Sequence, residues 1–289
     1  MKTLIVNADD FGYTRGVNAA VARCCEDGPV RSTTLMATGA AFEDAVRVAG
    51  QDGRLGVGVH LVLTGMKPLS PPSDMAGMLD DTGNMPSSPF ALLLLLLSGK
   101  VRRESLRIEL ARQVARVLDW GLVPTHLDTH KHAHILPQVL EVLVEVAAQF
   151  SIKWIRMPFE RASFRQTCRA VDKQDRMVFL KQFFESRLTV PLERFFFETV
   201  RRAGLRTPDH FFGISLTGIW NERLAVRLIE DLPEGVSEWM VHPGICDQEL
   251  LSSKTRLREQ REKEKDLLCS PLLRELIERR GISLRSFAG

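Results

Sequence analysis

The sequence predicts an α/β protein, and three observations lead to that prediction. Short apolar, β-rich runs alternate with segments of helical periodicity along most of the 289 residues. The apolar runs are nearly continuous, as in the strands of a parallel sheet that is covered on both faces. Seven or eight such units in one chain favour a (β/α) barrel of parallel strands over an open sheet.

The elements follow one another in a regular order. The predicted strands cover residues 3–8, 32–37, 55–63, 123–128, 153–157, 212–216, 238–242 and 282–287. The predicted helices cover residues 17–26, 42–49, 104–120, 139–150, 221–229 and 256–280. No internal repeat or linker separates two halves, and 44% hydrophobic residues can bury a substantial core. We therefore expect one domain over residues 1–289.

Two segments interrupt this alternation. Residues 65–90 hold five prolines with several glycines and serines, so we expect a long irregular loop, which in a compact domain is usually functional or mobile. Residues 159–210 form an irregular helical insert whose phenylalanine groups suit core or dimer contacts better than a ligand cage. This insert leads us to expect a homodimer. The mixed charges of residues 254–265 predict a helix face in solvent.

The composition argues against several classes of protein. A formal net charge of +3, from 39 basic and 36 acidic side chains, is too small for an obligate nucleic-acid binder. Five cysteines without paired metal spacing indicate reduced thiols in a cytoplasmic chain. The leucine-rich run 91–97 is short of the roughly 20 residues of a membrane span, and the N-terminus lacks a signal peptide's apolar region. We expect this run to form a buried helix or an apolar surface for a greasy substrate.

Candidate catalytic groups first appear where the first predicted strand ends, in Asn7-Ala8-Asp9-Asp10-Phe11-Gly12. Adjacent side chains of a regular strand point in opposite directions, so both aspartates can face one site only if the chain turns there. Gly12 would help that turn. Solvated carboxylates in a turn are the simpler interpretation of two aspartates alone. Their position favours a site, because catalytic groups collect at the carboxyl ends of barrel strands.

The strongest signal holds four of the seven histidines, in His126-Leu127-Asp128-Thr129-His130-Lys131-His132-Ala133-His134. The histidines and Asp128 occupy alternate positions, so an extended chain would place all five on one face. Pro124 disfavours a helix here, and Pro137 is well placed to begin the next one. Such a face must meet water, a metal or a substrate, because its burial in an apolar core would be costly. Histidine with carboxylate suits zinc and similar divalent ions, and a surface cluster without a role is the alternative.

Two more histidines lie on other predicted strands. His60 interrupts an apolar run, where a single histidine is more often a hydrogen-bonded core residue than a ligand. His242 precedes Pro243-Gly244, which forces a turn just after the strand. A barrel would bring Asp10, His60 and the histidine cluster together at the carboxyl ends of three strands. The expected site has two histidines, one carboxylate and open positions for water.

Together these motifs resemble those of the YdjC-like carbohydrate deacetylase family, which includes enzymes that remove the acetyl group from chitooligosaccharides. The resemblance rests on the aspartate run and on Gly58-Val59-His60-Leu61-Val62-Leu63-Thr64, Thr125-His126-Leu127-Asp128-Thr129-His130-Lys131-His132, His242-Pro243-Gly244 and Gly281-Ile282-Ser283-Leu284-Arg285-Ser286-Phe287. It covers nearly the whole chain in order, although residues 159–210 carry no family motif. It implies a distorted (β/α) barrel of about seven parallel strands, related to the polysaccharide deacetylases.

The resemblance also implies the residues of the site. One divalent metal ion, Mg²⁺ or Zn²⁺, would be held by Asp10, His60 and His130. Asp9 stands in the place of the catalytic base, and His242 is the candidate acid. Further residues would contact the substrate or support the ligands, namely His126, Asp128, His132 and Arg156. For Arg156, a structural salt bridge is an equal alternative.

The activity expected from the resemblance is hydrolysis of the N-acetyl group of an N-acetylglucosamine-containing saccharide or glycoconjugate. A hopanoid-associated subgroup of the family is expected to act on an N-acetylglucosaminyl lipid, and the leucine run would suit a greasy aglycone. A metal-dependent phosphoesterase could use the same ligands, but only Lys131 and Arg156 are obvious cations for its phosphate. A binding protein without catalysis would leave Asp9 and His242 without a task.

Overall fold

The computed structural model describes residues 1–161 and 163–289, and a seven-stranded parallel sheet forms its centre. The strands are β1 (Lys2–Phe11), β2 (Ser32–Leu35), β3 (Gly56–Leu61), β4 (Leu127–Thr129), β5 (His210–Phe212), β6 (Gly235–Val241) and β7 (Ser283–Leu284). Six of them follow the order β4-β3-β2-β1-β6-β5. The short β7 pairs with Thr3 and Leu4, at the start of β1.

Helices surround this sheet. They are α1 (Arg15–Glu26), α2 (Phe42–Ala49), α3 (Pro89–Leu97), α4 (Arg103–Asp119), α5 (Pro137–Gln149), α6 (Phe164–Ala170), α7 (Arg176–Leu188), α8 (Glu193–Arg202), α9 (Glu222–Glu230), α10 (Gln248–Ser252), α11 (Glu259–Leu268) and α12 (Pro271–Arg279). Residues 4–11 of β1 are all buried, so both faces of the strand are covered. This burial explains why the apolar runs are continuous instead of alternating.

The sheet curls into a half-barrel. Two isolated parallel bridges extend it beyond β4, one between Leu127 and Ile155 and one between Trp154 and Arg206. Arg206 lies four residues before His210, the first residue of β5, which is the opposite edge of the sheet. The segment around Trp154 therefore pairs with a residue of β4 on one side and with a residue close to β5, the opposite edge of the sheet, on the other. The predicted α/β fold with a curled parallel sheet is confirmed.

Four predicted strands differ clearly from those observed, and two of them, expected at 123–128 and 282–287, are reduced to β4 and β7. The strand expected at 212–216 is instead His210–Phe212, because the amides of Gly213 and Ser215 donate to the carboxylate of Glu160 at 3.0 and 2.8 Å. Their hydrogen bonds are thus not available to a neighbouring strand. The strand expected at 153–157 is reduced to the two isolated bridges, since it pairs with each neighbouring segment through a single residue.

The irregular segment 65–90 is fixed at its start. The amides of Leu69 and Ser70 donate to the buried carboxylate of Glu109 on α4 at 3.0 and 2.8 Å. A short 3₁₀ helix, Pro72–Asp74, lies within the segment. Its first residues are therefore held to the scaffold by a carboxylate that takes two backbone amides.

The leucine run forms α3, which has one buried face and one exposed face. Leu92 and Leu96 are in the core, whereas Phe90, Leu94 and Leu97 are 67%, 53% and 68% exposed. The two interpretations of this run, a core helix and an apolar surface, thus apply to opposite faces of one helix. Within the described residues, no helix is long and apolar enough to cross a membrane.

Candidate active site

The chain turns at Asp10, at the carboxyl end of β1. The pairing of β1 with β2 shifts register between Ala8 and Phe11, and Asp10 has a φ of +65°. Few non-glycine residues adopt this left-handed conformation, which often occurs at functional sites. The expected turn is therefore present, and it lies two residues before Gly12. As a result, Asp9 and Asp10 line the same cavity.

Asp10, His60 and His130 bring three potential ligand atoms together. Oδ1 of Asp10 lies 3.4 Å from Nε2 of His60 and 3.2 Å from Nδ1 of His130, and the two nitrogens are 3.3 Å apart. In a tetrahedral zinc site with bonds of about 2.0–2.1 Å, ligand atoms lie about 3.3–3.4 Å apart. Oδ1 of Asp10 is also buried without a hydrogen-bond partner in the described part of the chain. The three residues fit a divalent metal ion.

Asp128 orients His60 within this trio. Its Oδ1 accepts a hydrogen bond from Nδ1 of His60 at 2.7 Å, which directs Nε2 toward Asp10 and His130. Burial lowers the pKa of His60, but the charge of Asp128 and the contacts with Asp10 outweigh it and raise the pKa to about 10. A metal ion would therefore have to displace a proton from His60.

Arg156 is the centre of a buried ion cluster that includes Asp9. Its Nη1 and Nη2 donate to the two carboxylate oxygens of Asp9 at 2.7 and 2.6 Å. The same guanidinium pairs with Asp128 at 2.5 Å and with Glu238, which the sequence did not single out, at 2.7 Å. Arg156 thus forms structural salt bridges, and the one to Asp9 also orients a candidate catalytic carboxylate.

The charges in this cluster follow from burial and from Arg156. Burial raises the pKa of Asp9, but Arg156 outweighs it and holds that pKa well below the usual range. Asp9 is thus ionised at neutral pH. Burial also raises the pKa of Glu238, to about 8, because Arg156 offsets only part of the desolvation and the nearby Asp9 charge adds to it. Glu238 is consequently a weaker acid than an ordinary glutamate.

The prediction that residues 126–134 present one extended face is wrong beyond Thr129. β4 ends there, and a 3₁₀ helix follows from His130 to Ile135. Lys131 and His132 within it have φ values of +55°. The histidines consequently point to different places, and only His130 joins the candidate metal ligands.

The other three histidines of this cluster lie apart from the trio of ligands. His126 is fully buried and stacks on Phe287, with ring centres 3.7 Å apart. His132 lines the cavity. His134 is fully buried and its Nδ1 contacts the hydroxyl of Thr129 at 2.6 Å. Burial lowers the pKa of all three, so the fully buried His126 and His134 and the partly buried His132 favour the neutral ring.

We expect His134 to make the fold less stable as pH falls below about 6.5. Burial lowers its pKa to about 3 in the folded state. The unfolded chain therefore binds one more proton between these values, and the free energy of unfolding rises with pH by up to ~1.4 kcal/mol per unit. His134→Gln should remove about one proton from that slope in denaturation curves recorded at several pH values. An unchanged slope would contradict a neutral buried His134.

His242 follows β6 and lines the same cavity as the two aspartates. Its backbone amide donates to Oε2 of Glu264 at 2.7 Å, while its Nδ1 is buried without a partner among the described residues. Burial lowers the pKa of His242 to about 4, and the charges of Asp9 and Asp10 offset only part of this effect. The ring is therefore neutral at neutral pH.

Arg261 and Glu264 on α11 are site residues that the sequence did not single out. The prediction of a solvated helix face at 254–265 is wrong for both, since they are 2% and 1% exposed. Nη2 of Arg261 donates to Oδ2 of Asp10 at 2.5 Å. The sequence spacing could have indicated this burial. Intervals of four, three and four, as on one helix face, separate Leu257, Arg261, Glu264 and Leu268.

A cavity of about 870 Å³ contains these groups, and its volume is typical of ligand-binding sites. Asp9, Asp10, His60, His130 and His242 line it together. The irregular segment contributes Gly65 and Met66 to the lining, and α3 contributes Phe90 and Leu93. The cavity thus combines a polar group of candidate catalytic residues with apolar walls.

The fold and the site define an α/β half-barrel protein with a candidate divalent-metal centre at the carboxyl ends of its strands. The chain belongs to the YdjC-like protein family, whose model matches residues 3–279. The resemblance inferred from the sequence motifs is thereby confirmed.

Individual relatives match over almost the full length. The chain is 33% identical to the chitooligosaccharide deacetylase of Serratia marcescens, covering 99% of this chain and 98% of that one. It is 32% identical to the carbohydrate deacetylase of Geobacillus stearothermophilus, covering 98% and 96%. A crystal structure from Enterococcus faecalis V583, described as a cellobiose-phosphate cleavage protein, matches with a TM-score of 0.76 and 25% identity, covering 99% and 97%.

Proposed function

We propose that this protein is a metal-dependent carbohydrate N-deacetylase that hydrolyses the N-acetyl group of an N-acetylglucosamine-containing saccharide or glycoconjugate. The curated relatives are carbohydrate and chitooligosaccharide deacetylases. The observation that carries the proposal is that one cavity combines the trio Asp10, His60 and His130 with an ionised Asp9 bound by Arg156. Amide hydrolysis needs both parts, a group that polarises the carbonyl and a base for the attacking water.

Asp10, His60 and His130 would hold the metal ion, through Oδ1, Nε2 and Nδ1 respectively. When bound, a divalent ion such as Mg²⁺ or Zn²⁺ polarises the acetyl carbonyl and makes the attacking water more acidic. Arg261 occupies the second oxygen of Asp10, so this carboxylate presents one oxygen to the ion.

Asp9 would accept the proton of the attacking water. Arg156 keeps Asp9 ionised and holds both of its oxygens, and Asn7 Nδ2 adds a hydrogen bond to Oδ1 at 2.9 Å. These contacts make Asp9 a fixed but weak base. A weak base suffices when the water is already acidified.

His242 would return the proton to the sugar nitrogen when the carbon–nitrogen bond breaks. Because its pKa is about 4, the ring does not carry this proton in the resting enzyme at neutral pH. We therefore assign Asp9, protonated in the first step, as the source of the proton. The charges of Asp9 and Asp10 favour the imidazolium once it forms.

The test of the proposed function is acetate release from a panel of N-acetylated sugars, including chitooligosaccharides of increasing length. We expect release that is abolished by a chelator and restored by a divalent ion. Release from none of the sugars in any metal would contradict the proposal.

We expect metal binding to depend on His130 much more than on His134, because only His130 lies within the trio. Purified His130→Ala should contain less than about a tenth of the wild-type metal, as for loss of one of three protein ligands. His134→Ala is the matched control from the same histidine cluster and should retain its metal. Full metal in His130→Ala together with loss in His134→Ala would show that the ligand assignment is wrong.

A second candidate substrate is an N-acetylglucosaminyl lipid such as a hopanoid conjugate, and α3 is the observation that favours it. Phe90 and Leu93 line the cavity, while Phe90, Leu94 and Leu97 are exposed on the same helix. An apolar aglycone could lie along these side chains. If so, Phe90→Ser should lower turnover of a detergent-dispersed N-acetylglucosaminyl lipid more than that of a chitooligosaccharide. Equal effects on both would favour the saccharide.

The curated relatives are deacetylases and give the phosphoesterase alternative no support. Arg156 is one of its two obvious cations, and it is fully buried in ion pairs with Asp9, Asp128 and Glu238. A phosphate group could not engage it without breaking this cluster.

A further inference from the structure

We propose that Glu264 is a positioning residue for His242, acting through the backbone that carries this histidine. The inference rests on the proposed role of His242 in deacetylation. Nδ1 of His242 has no hydrogen-bond partner in the described residues, unlike the ring of His60, which Asp128 holds at 2.7 Å. The position of the His242 ring therefore depends on what fixes its backbone.

Helix α11 fixes that backbone at two points. The amide of His242 donates to Oε2 of Glu264 at 2.7 Å, and the amide of Gly244 donates to the carbonyl of Arg261 at 3.1 Å. Oε1 of Glu264 also accepts the amide of Gly218, at 3.2 Å, in the segment that follows β5. One buried carboxylate thus joins the segments that follow two neighbouring strands of the sheet.

The same helix also contacts the candidate metal centre. Arg261 lies three residues before Glu264, and its Nη2 donates to Oδ2 of Asp10 at 2.5 Å. Both Arg261 and Glu264 are buried. Because α11 holds Asp10 on one side and His242 on the other, it sets the distance between the proposed metal ligand and the proposed acid.

The substitution Glu264→Gln tests this role with little change in size. A glutamine side chain has one acceptor oxygen and one NH₂ group, so it can accept from only one of the two amides. The other amide would face the NH₂ group of the glutamine, which is also a donor, and would lose its hydrogen bond. We expect the backbone at that amide to shift as a result. A displacement of about 1 Å at a reacting group can cost about 100-fold in rate.

Glu160→Gln is the matched control. Glu160 is also buried, and its carboxylate accepts two backbone amides, those of Gly213 and Ser215 at 3.0 and 2.8 Å. It therefore shares the chemistry of Glu264, but neither of its amides belongs to a proposed catalytic residue. The two variants should lose similar thermal stability.

We expect kcat for acetate release to fall by about 10- to 100-fold in Glu264→Gln, with KM and metal content close to those of the wild type. Glu160→Gln should lose much less, because neither of the amides that Glu160 holds belongs to a proposed catalytic residue. Glu264→Asp retains both acceptor oxygens with a shorter reach and should lie between Glu264→Gln and the wild type. An equal loss of kcat in Glu264→Gln and Glu160→Gln would overturn the proposal.

A second measurement does not depend on the reaction. Imidazole ¹⁵N chemical shifts of the Mg²⁺-supplemented protein, assigned with a His242→Asn variant, should change at His242 in Glu264→Gln and stay in place in Glu160→Gln. If Glu264→Gln does not fold, Glu264→Asp is used in its place. Unmoved His242 signals would overturn the positioning role. If the wild type released no acetate while these signals moved, the proposed function would fail and the positioning role would stand.

Discussion

Asp9→Asn is expected to lower kcat by about 100-fold or more while binding metal almost as well as the wild type. Asparagine keeps the size of the side chain but cannot accept the proton of the attacking water, and loss of a general base typically costs about 100- to 10,000-fold. Asp9 is bound by Arg156 and does not belong to the trio of Asp10, His60 and His130. Metal analysis of the purified variant, together with initial rates, measures both effects.

Asp10→Asn provides the contrast, because it removes an anionic ligand. Its metal affinity should fall first, and excess metal should restore part of its activity, whereas no metal concentration can replace the missing base of Asp9→Asn. A metal titration of the two variants should therefore separate them. Rescue of Asp9→Asn by metal, with none for Asp10→Asn, would reverse the two roles.

Arg156→Met should be the most destabilising single substitution of the site, by about 3–5 kcal/mol. The change leaves Asp9 and Asp128 buried without the cation that both contact. A buried charge without a partner is costly, although a methionine of similar length fills much of the space. The free energy of unfolding from urea denaturation measures the loss.

Arg156→Lys is the control for this prediction, because it keeps the charge but cannot form the two parallel bonds to Asp9. It should recover a large part of the stability and less of the activity. If Arg156→Met were as stable as the wild type, the buried cluster would not depend on its central cation. If Arg156→Lys had full activity, the two-point contact with Asp9 would not matter for the base.

Most of the fold could be predicted from local patterns. A strand that is covered on both faces needs a continuous apolar run, and a helix on its surface needs a periodic one, so the alternation of the two is visible along the chain. The exceptions are places where a distant side chain changes the backbone. Glu160 takes the amides of Gly213 and Ser215, and β5 ends before them although Phe212, Ile214 and Leu216 alternate as in a strand.

The residues of the candidate metal centre could also be predicted. Asp10 and His60 end or interrupt apolar strands, and parallel strands bring their carboxyl ends to one edge of a sheet. His130 could be assigned only through the family motif, since the spacing of the histidines alone favoured an extended face. The chain leaves the extended conformation at Lys131 and His132, and nothing in their residue types requires a φ of +55°.

The arginines that bind the two aspartates of the site could be identified only from the tertiary structure. Arg156 meets Asp9 across 147 positions of the chain, and Arg261 meets Asp10 across 251. A charged residue on a helix has the same local sequence whether it faces water or an opposite charge, so the run 254–265 appeared to be a solvated surface. Burial of Arg261 is tolerated because the carboxylate of Asp10 lies where α11 packs, and the packing of distant elements is not encoded in any single segment.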